Sequence, residues 1–306
     1  MGQVIIKVCS FIAIIVIGML AGRSGKLGTG AGNMLSKVVF TITLPATIIH
    51  AFGAADFSRE LLLLIPIGFL CAGVPFFATL ALTHRFDARD RKFLLLNSGF
   101  NIGCFGLPFV QAFFPAPIVV AACMFDAGNS LMVTGGSYVI TTMVVDGTRS
   151  AHPASEAVRR LTRSVAFDSY LVLMALACLG IRIPGAIVSL TEPVANANAF
   201  LSLFMVGLMV SLSVDRERLR RIAELLGGRY CACAIECALV LALLPLAPEI
   251  RALIATLVWA PVSALGPAFT LWAGGDAQLA GLANTISIFA GLALMTGALV
   301  LTGSIA

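Results

Sequence analysis

The chain has 306 residues, of which 59% are hydrophobic and only 11% are charged, and its mean hydropathy is +1.00. A soluble protein carries about 25% charged residues, so this composition excludes an ordinary soluble enzyme and indicates an integral membrane protein. The formal net charge of +5 reflects 20 Lys and Arg against 15 Asp and Glu. The basic residues lie between apolar runs, which argues for membrane topology and against a nucleic-acid partner.

Ten apolar segments are predicted as membrane spans, because each is near the roughly 20 residues that a helix needs to cross a bilayer. The connections between them are short, and the longest, residues 146–164, falls at the midpoint of the chain. In chain order the predicted spans are residues 4–21, 34–52, 61–83, 93–114, 118–145, 165–181, 193–214, 230–246, 252–273 and 278–303.

The first span has some features of a signal peptide, since Lys7 precedes an apolar run that ends in two small residues. The charges Arg23, Lys26 and Lys37 follow this run instead of leading it, which favours a retained helix with its N-terminus outside. With that orientation, 16 of the 20 Lys and Arg lie on or beside the inner loops. The prediction is a multi-pass protein of the inner (plasma) membrane with both termini extracytoplasmic.

The fourth span contains the most informative stretch of the chain, residues 97–108, where two asparagines, three glycines and a proline interrupt an apolar run. Lipid offers no hydrogen-bond partner to a broken backbone, so a break survives only inside protein or beside a cavity. The ninth span carries a second interruption, residues 261–267, with a proline at each end. Non-helical backbone is predicted at residues 102–107 and 262–266, with the two breaks close together.

The candidate substrate site lies around these breaks. Asn97 and Asn101 are four residues apart and are expected to share one helix face. Pro108 is expected to begin a second half-helix, whose free N–H groups would attract an anion. The alternative is an ordinary proline kink packed by small glycines. The predicted substrate-binding residues are Asn97, Asn101, Gly103, Gly106, Pro108, Asn129, Gly266, Pro267 and Thr285.

Asp126, well inside span five, is the first candidate for a residue that couples transport to an ion. An ionisable side chain at that depth is costly and is a functional candidate by default. Asn129 and Ser130 follow on the same helix face, and Asn284 and Thr285 lie at similar depth in span ten. Polar groups of spans five and ten are therefore expected to gather beside the breaks. The alternative for Asp126 is a hydrogen-bonded structural carboxylate.

Glu236, in span eight, is the second coupling candidate, with snorkelling or pairing with Arg229 as its alternatives. His50, Asp168 and Lys37 are interpreted as residues at the span ends rather than as ligands. The eight cysteines are scattered through apolar runs, so neither a metal site nor a disulfide framework is expected.

The midpoint connection divides the chain into two five-span halves, residues 1–145 and 165–306, joined by a cytoplasmic linker at 146–164. An odd number of spans per half gives the halves opposite orientations in the membrane. If they are repeats, they are inverted repeats, and the broken spans four and nine are the fourth of each half. The predicted fold is all-α, with ten transmembrane helices in two inverted repeats.

Several motifs together resemble the auxin efflux carrier family, which includes bacterial permeases and the plant PIN carriers. The resemblance covers essentially the whole chain, and the span-four motif is its most specific part. This chain has Asp168-Ser169 where the family often has Asn-Pro, and it lacks the long loop of many plant carriers, which favours the bacterial branch. The matching residues are 44–50 (LPATIIH), 101–108 (NIGCFGLP), Asp126, Asn129, Gly266-Pro267 and Asn284-Thr285.

The resemblance implies a ten-helix carrier with two crossing broken helices, a fold shared with bile acid:sodium symporters and Na⁺/H⁺ antiporters. It further implies a transport domain of spans three to five and eight to ten, which moves against a scaffold of spans one, two, six and seven. Asn101 stands where the family has its crossover asparagine. The implied substrates are small carboxylates such as malate or malonate, with an auxin-like acid as the less expected choice.

The predicted function is secondary active transport of a small organic anion by elevator-type alternating access, without enzymatic activity. The sequence has no ATP-binding motif, so the energy would come from an ion gradient or from the substrate's own gradient. The coupling ion, H⁺ or Na⁺, stays open, and no other cofactor is expected. The expected partners are the substrate and the lipid bilayer, and a homodimer is left open. The alternatives are a sodium-coupled bile-acid-type symporter and a non-transporting receptor or channel.

Overall fold

The structure, a computed structural model, describes residues 2–28, 30–54, 57–147, 153–210 and 216–303. Within these ranges the chain forms helices and one isolated β-bridge. The helices are α1 (Gly2–Arg23), α2 (Ala31–Val38), α3 (Leu44–Ala54), α4 (Leu64–Leu82), α5 (Ala88–Leu96), α6 (Leu107–Phe113), α7 (Ala116–Ser130), α8 (Ser137–Asp146), α9 (Pro153–Leu161), α10 (Val165–Cys178), α11 (Gly185–Leu208), α12 (Arg216–Leu243), α13 (Pro248–Leu257), α14 (Gly266–Trp272) and α15 (Ala277–Leu301).

Six helical segments of the described chain are long and apolar enough to cross a membrane. Two of them run through π-helical turns, Val39–Thr43 between α2 and α3 and Leu131–Gly136 between α7 and α8. These six coincide with predicted spans one, two, three, five, eight and ten. They are Gly2–Arg23, Ala31–Ala54, Arg59–Leu82, Ala116–Asp146, Arg216–Leu243 and Ala277–Leu301.

The four remaining predicted spans are helices that are short, polar or broken. Span six is the 14-residue α10, which meets α9 at a bend of 89°. Span seven is the 24-residue α11, which contains Glu192, Asn196 and Asn198. Spans four and nine are interrupted helices. The all-helical membrane class is therefore confirmed, while the count of ten spans and the inverted repeat stay predictions.

The helices pack in two groups. In the first, α1 and α3 pack with α11, and α3 also packs with α10. In the second, α4 packs with α7 and α12, α7 with α6 and α13, α5 with α8 and α14, and α15 with α12 to α14. The groups meet where α7 contacts α3 and α10. Glycines give the closest approach in each group. A Cβ on Gly18 would lie 2.3 Å from the Phe204 carbonyl oxygen in α11, and one on Gly68 would lie 2.1 Å from the Phe125 carbonyl oxygen in α7. Small residues of this kind let membrane helices approach at backbone distance.

The first break lies further toward the N-terminus than the sequence predicts. The helix stops at Leu96 and resumes at Ile102, so residues 97–101 are non-helical. The predicted break at 102–107 is instead the π-helical turn Ile102–Gly106, in which Gly106 N–H donates to the Asn101 carbonyl. A proline in an α-helix lacks one N–H and clashes with the carbonyl four residues earlier. The wider π turn ahead of Pro108 lets the helix accept it without a break.

The second break is close to its prediction. α13 ends at Leu257 and α14 begins at Gly266, which leaves residues 258–265 non-helical, compared with the predicted 262–266. Pro267 lies in the first turn of α14, where its missing N–H needs no partner. Pro108 does not begin its half-helix, because the π turn precedes it.

Candidate functional site

The two breaks cross and bind each other through their backbones. Phe100 and Val262 form an antiparallel β-bridge. On either side of it, Asn101 N–H donates to the Pro261 carbonyl at 2.9 Å, and Ser263 N–H donates to the Gly99 carbonyl at 3.0 Å. The predicted proximity of the two breaks is confirmed. Backbone groups that lipid could not satisfy are thus paired with each other.

Asparagines from two other helices brace this crossing in matching ways. Asn129 of α7 donates to the Phe100 carbonyl at 3.2 Å, and Asn284 of α15 donates to the Val262 carbonyl at 3.0 Å. The Ser287 hydroxyl of α15 also accepts from Val262 N–H at 3.0 Å. The expectation that polar groups of spans five and ten gather beside the breaks is therefore met.

A cavity of about 530 Å³ lies beside the crossing. One wall comes from the breaks and α7, including Asn101, Gly103, Asp126, Asn129 and Ser263. Further lining residues come from α2, the π turn that follows it, the start of α3, and α10. Four basic side chains, which the sequence had placed on the inner side of the membrane, also line it. They are Lys37, Arg159, Arg160 and Arg163.

Asn101 lines this cavity and carries an unused hydrogen-bond donor. The residue is only 4% exposed, and its Nδ2 has no hydrogen-bond partner among the described residues. Its backbone is held by the bond to Pro261 and by the bond from Gly106 to its carbonyl. A buried amide without a partner is costly, so the position is suited to a ligand that accepts a hydrogen bond.

Asp126 lines the same cavity, but both of its oxygens are engaged. The Tyr170 hydroxyl of α10 donates to Oδ2 at 2.7 Å, and Asn129 Nδ2 donates to Oδ1 at 3.0 Å. Gly103 makes room for this network, because a Cβ there would lie 3.4 Å from Asp126 Oδ2 and 2.9 Å from Leu44 Cδ2. Asp126 therefore joins α7, whose Asn129 braces the first break, to α10, which belongs to the other group of helices.

Asn97 does not share a helix face with Asn101, which corrects the sequence prediction. α5 ends at Leu96, so the helical period does not extend across the break. Asn97 Nδ2 donates to the Phe93 carbonyl at 2.8 Å and to Thr270 Oγ1 at 3.1 Å, and the residue is not part of the cavity wall. Its amide ties α5 to α14 instead.

The predicted site residues thus separate into two sets. Asn101, Gly103, Asp126 and Asn129 come together on the cavity wall. Gly266 packs on Asn97, since a Cβ there would lie 2.3 Å from Asn97 Oδ1. Seven predicted residues lie outside the cavity wall, namely Asn97, Gly106, Pro108, Gly266, Pro267, Thr285 and Glu236.

Glu236 is buried at 6% exposure, and its two carboxylate oxygens have no hydrogen-bond partner among the described residues. Nor does it form an ion pair with Arg229, whose guanidinium binds backbone carbonyls of the breaks. His50 Nδ1 lies 3.4 Å from the Val188 carbonyl oxygen, and Asp168 lies in the first turn of α10, as expected for residues near helix ends. Lys37, in the last turn of α2, also lines the cavity.

Sequence reasoning did not single out Tyr170, Arg163 or Ser263. Tyr170 lies in an apolar helix with no polar pattern around it, and its one signal is that a buried phenol needs a hydrogen-bond partner. Arg163 follows α9 in the linker and was counted only as a topology signal. Ser263 lies within the second interruption and reaches the cavity because that break crosses the first.

Comparison with known proteins now bears on these residues. The family model described as "Membrane transport protein" matches residues 3–150, which contain α1 to α8. The matched family is that of the auxin efflux carriers, and the match covers just under half of the chain. The match confirms the resemblance over residues 3–150, which include Asn101, Asp126 and Asn129, and does not extend to Gly266-Pro267 or Asn284-Thr285. No curated protein matches the chain significantly. The first break therefore lies inside the matched region, and the second break lies beyond it.

Proposed function

We propose that this membrane transport protein is a secondary carrier of a small organic anion, which binds in the cavity beside the crossing. The observation that carries the proposal is the buried, unpartnered amide of Asn101 on the cavity wall. A carboxylate would accept its hydrogen bond. The cavity volume of about 530 Å³ suits a small molecule, since ligand pockets span roughly 300–1,000 Å³.

The charges around the cavity favour an anion over a cation. Lys37, Arg159 and Arg163 face it together with Arg160, which also pairs with Glu156 at 3.2 Å. The acidic residue on the wall, Asp126, is already bound by two donors. A cleft lined mainly by one sign of charge raises the local concentration of the opposite ion. Because basic residues favour the inner side, this cavity would open toward the cytoplasm.

The packing supports an elevator-type movement. The cavity lies where α10 and the α2–α3 segment meet the helices of the second group, so its two walls belong to different groups. Movement of one group against the other would carry the bound anion across the membrane. The matched bracing by Asn129 and Asn284 supports inverted repeats, because equivalent helices of the two halves then hold equivalent breaks.

Asp126 is the better candidate for coupling, because it lies on the cavity wall and bonds to Tyr170 across the boundary between the groups. Glu236 is second, since its unpartnered carboxylate lies away from that wall. Either carboxylate would carry H⁺ or help to bind Na⁺. A sodium-coupled symporter of the same fold is the second candidate function, and sodium dependence of uptake separates the two ions.

Uptake into proteoliposomes across a panel of labelled malate, malonate and indole-3-acetate tests the proposal. We expect at least one anion to accumulate in liposomes with the wild-type protein, and Asn101→Ala to reduce that uptake strongly. Absence of uptake and exchange for the whole panel would overturn the choice of substrate class. Single-channel conductance in planar bilayers would show that the protein is a channel and not a carrier.

A further inference from the structure

Arg229 of α12 is buried at the crossing of the two breaks. It is 3% exposed and is the only Lys or Arg of the described residues in the buried class. Its guanidinium lies over the Phe100 ring, 4.8 Å from the ring centroid. A cation at such a depth is expensive unless its partners compensate the charge, so what it binds is informative.

The guanidinium binds carbonyl groups of both breaks at once. Nε donates to the Ser98 carbonyl in the first break at 3.1 Å. Nη2 donates to the Ala260 carbonyl in the second break at 2.6 Å, with the Pro261 carbonyl 3.4 Å away. The planar, forked donor set of arginine permits this two-sided contact, which a point charge such as lysine cannot reproduce.

These carbonyls follow the C-terminal ends of α5 and α13. The last carbonyls of a helix have no partner within it, and the helix dipole gives them partial negative charge. Inside a membrane they must be satisfied by protein. No ion pair of Arg229 with a carboxylate occurs among the described residues, and Glu236, two helical turns away, has both oxygens unbonded. The guanidinium is therefore met by carbonyl groups just past the two helix ends through Nε and Nη2, while Nη1 has no hydrogen-bond partner among the described residues.

We propose that Arg229 is a positioning residue that fixes the two breaks relative to each other. It thereby sets the position of the backbone of Asn101 and of its side-chain amide. The connection runs through the Pro261 carbonyl, which accepts from Asn101 N–H and lies beside Arg229 Nη2. The inference rests on the proposed function only in taking a small organic anion as the ligand that binds beside the crossing. The contact of Arg229 with the carbonyl groups of both breaks, the Arg229 clamp, is testable without any substrate.

Hydrogen exchange of the purified protein in lipid nanodiscs, read by mass spectrometry, tests the clamp with Arg229→Gln. Peptides that cover 97–106 and 258–266 should exchange at least about tenfold faster, because a lost hydrogen bond to a charged group shifts local opening by that order. Peptides of α1 and α11 should not change. Arg220→Gln is the matched control, since Arg220 lies on the same helix and is exposed.

Arg229→Lys provides a variant that keeps the charge and should fold. It should protect the breaks only partly, with exchange roughly two- to tenfold faster than wild type, because an ammonium cannot reach both breaks. Wild-type protection in the lysine variant, or unchanged exchange at the breaks in Arg229→Gln, would overturn the proposal. So would an equal rise in α1 and α11, which would show general support of the fold. Selective loss of protection at the breaks would support the clamp even if no anion were transported.

Discussion

The two breaks cross at one point, yet they differ in what they leave unsatisfied. The first, residues 97–101, ends in Asn101, which lines the cavity and whose side-chain amide has no partner among the described residues. The second, residues 258–265, is longer, and Asn284 and Ser287 of α15 bind its backbone groups. The two breaks are braced in the same way, but they differ in their side chains, because the first carries the unpartnered amide of Asn101. Under the proposed function, the first break offers the Asn101 side-chain amide to the anion, and the second break, which reaches the cavity through Ser263, holds the first in place.

The helices that brace the breaks show the same asymmetry. Three residues before Asn129, α7 carries Asp126, whereas three residues before Asn284, α15 carries Gly281. A carboxylate is therefore present beside the first break, and the equivalent position beside the second has no side chain. If transport is coupled through this pair of positions, the coupling belongs to the first break alone.

The largest expected effect comes from Asp126→Asn, which removes the negative charge beside the first break and keeps the shape of the side chain. We expect loss of gradient-driven accumulation while exchange of labelled for unlabelled substrate partly survives. Exchange needs the loaded carrier to move but requires no net movement of the coupling ion. Both activities are measured in the same proteoliposomes with an imposed ion gradient.

A structural aspartate would behave differently from a coupling aspartate. In that case Asp126→Asn would lower the melting temperature and reduce accumulation and exchange together. Tyr170→Phe removes one hydrogen bond from the same carboxylate without removing its charge and serves as the matched control. If the Asp126→Asn variant keeps full gradient-driven accumulation, Asp126 is not the coupling residue and Glu236 is the next candidate.

The second prediction compares the breaks directly through Asn101→Ala and Asn284→Ala. Asn101→Ala should weaken anion binding by roughly ten- to a hundredfold, since hydrogen bonds to charged groups contribute about 1.5–3 kcal/mol. Asn284→Ala should lower the melting temperature more than the affinity, because its amide binds the Val262 and Ser263 carbonyls instead of the cavity. Affinity is measured by scintillation proximity with the labelled anion identified by uptake. Equal losses of affinity in both variants would remove the asymmetry.

Much of the first break could be predicted from sequence, because its signals are local. Asparagine, glycine and proline in an apolar span indicate a break wherever it occurs, and Asp126 is recognisable by its depth alone. The exact position of the break could not be predicted. The π turn Ile102–Gly106 takes up the effect of Pro108 and moves the break to residues 97–101.

The partners of these residues depend on contacts between distant segments and left no signal in the sequence. Asn97 was assigned to the site because it is four residues from Asn101, and the loss of helix between them removes that argument. The bond from Tyr170 to Asp126 joins residues of different halves of the chain. Arg229 was counted as a charge of an inner border, although its carbonyl partners lie in the two breaks.

The third prediction concerns the packing that supports the second break. Gly266→Ala should destabilise the protein by about 1–3 kcal/mol, because its Cβ would lie 2.3 Å from Asn97 Oδ1 in a well-packed region. Asn97→Ala removes that obstacle, so the double variant should be more stable than the sum of the single effects implies. Thermal melting in detergent measures all three variants. If the stability changes of the two single variants add up strictly in the double variant, Asn97 and Gly266 do not pack on each other. Asn97 would then again be a candidate for binding the ligand.

The smallest expected effect tests whether the anion is attracted by the basic side chains of the cavity that contains Asn101. Arg163→Gln should weaken anion binding by only about two- to fivefold, because an exposed charge contributes roughly 0.2–1 kcal/mol. The loss should shrink as salt is raised from low to physiological ionic strength, since exposed charges are screened within about 10 Å. Arg220→Gln removes the same charge outside the cavity wall and should leave affinity unchanged at every salt concentration. If the two variants lose affinity equally, attraction comes from the overall charge of the protein, and the first break would recognise the anion through the Asn101 amide alone.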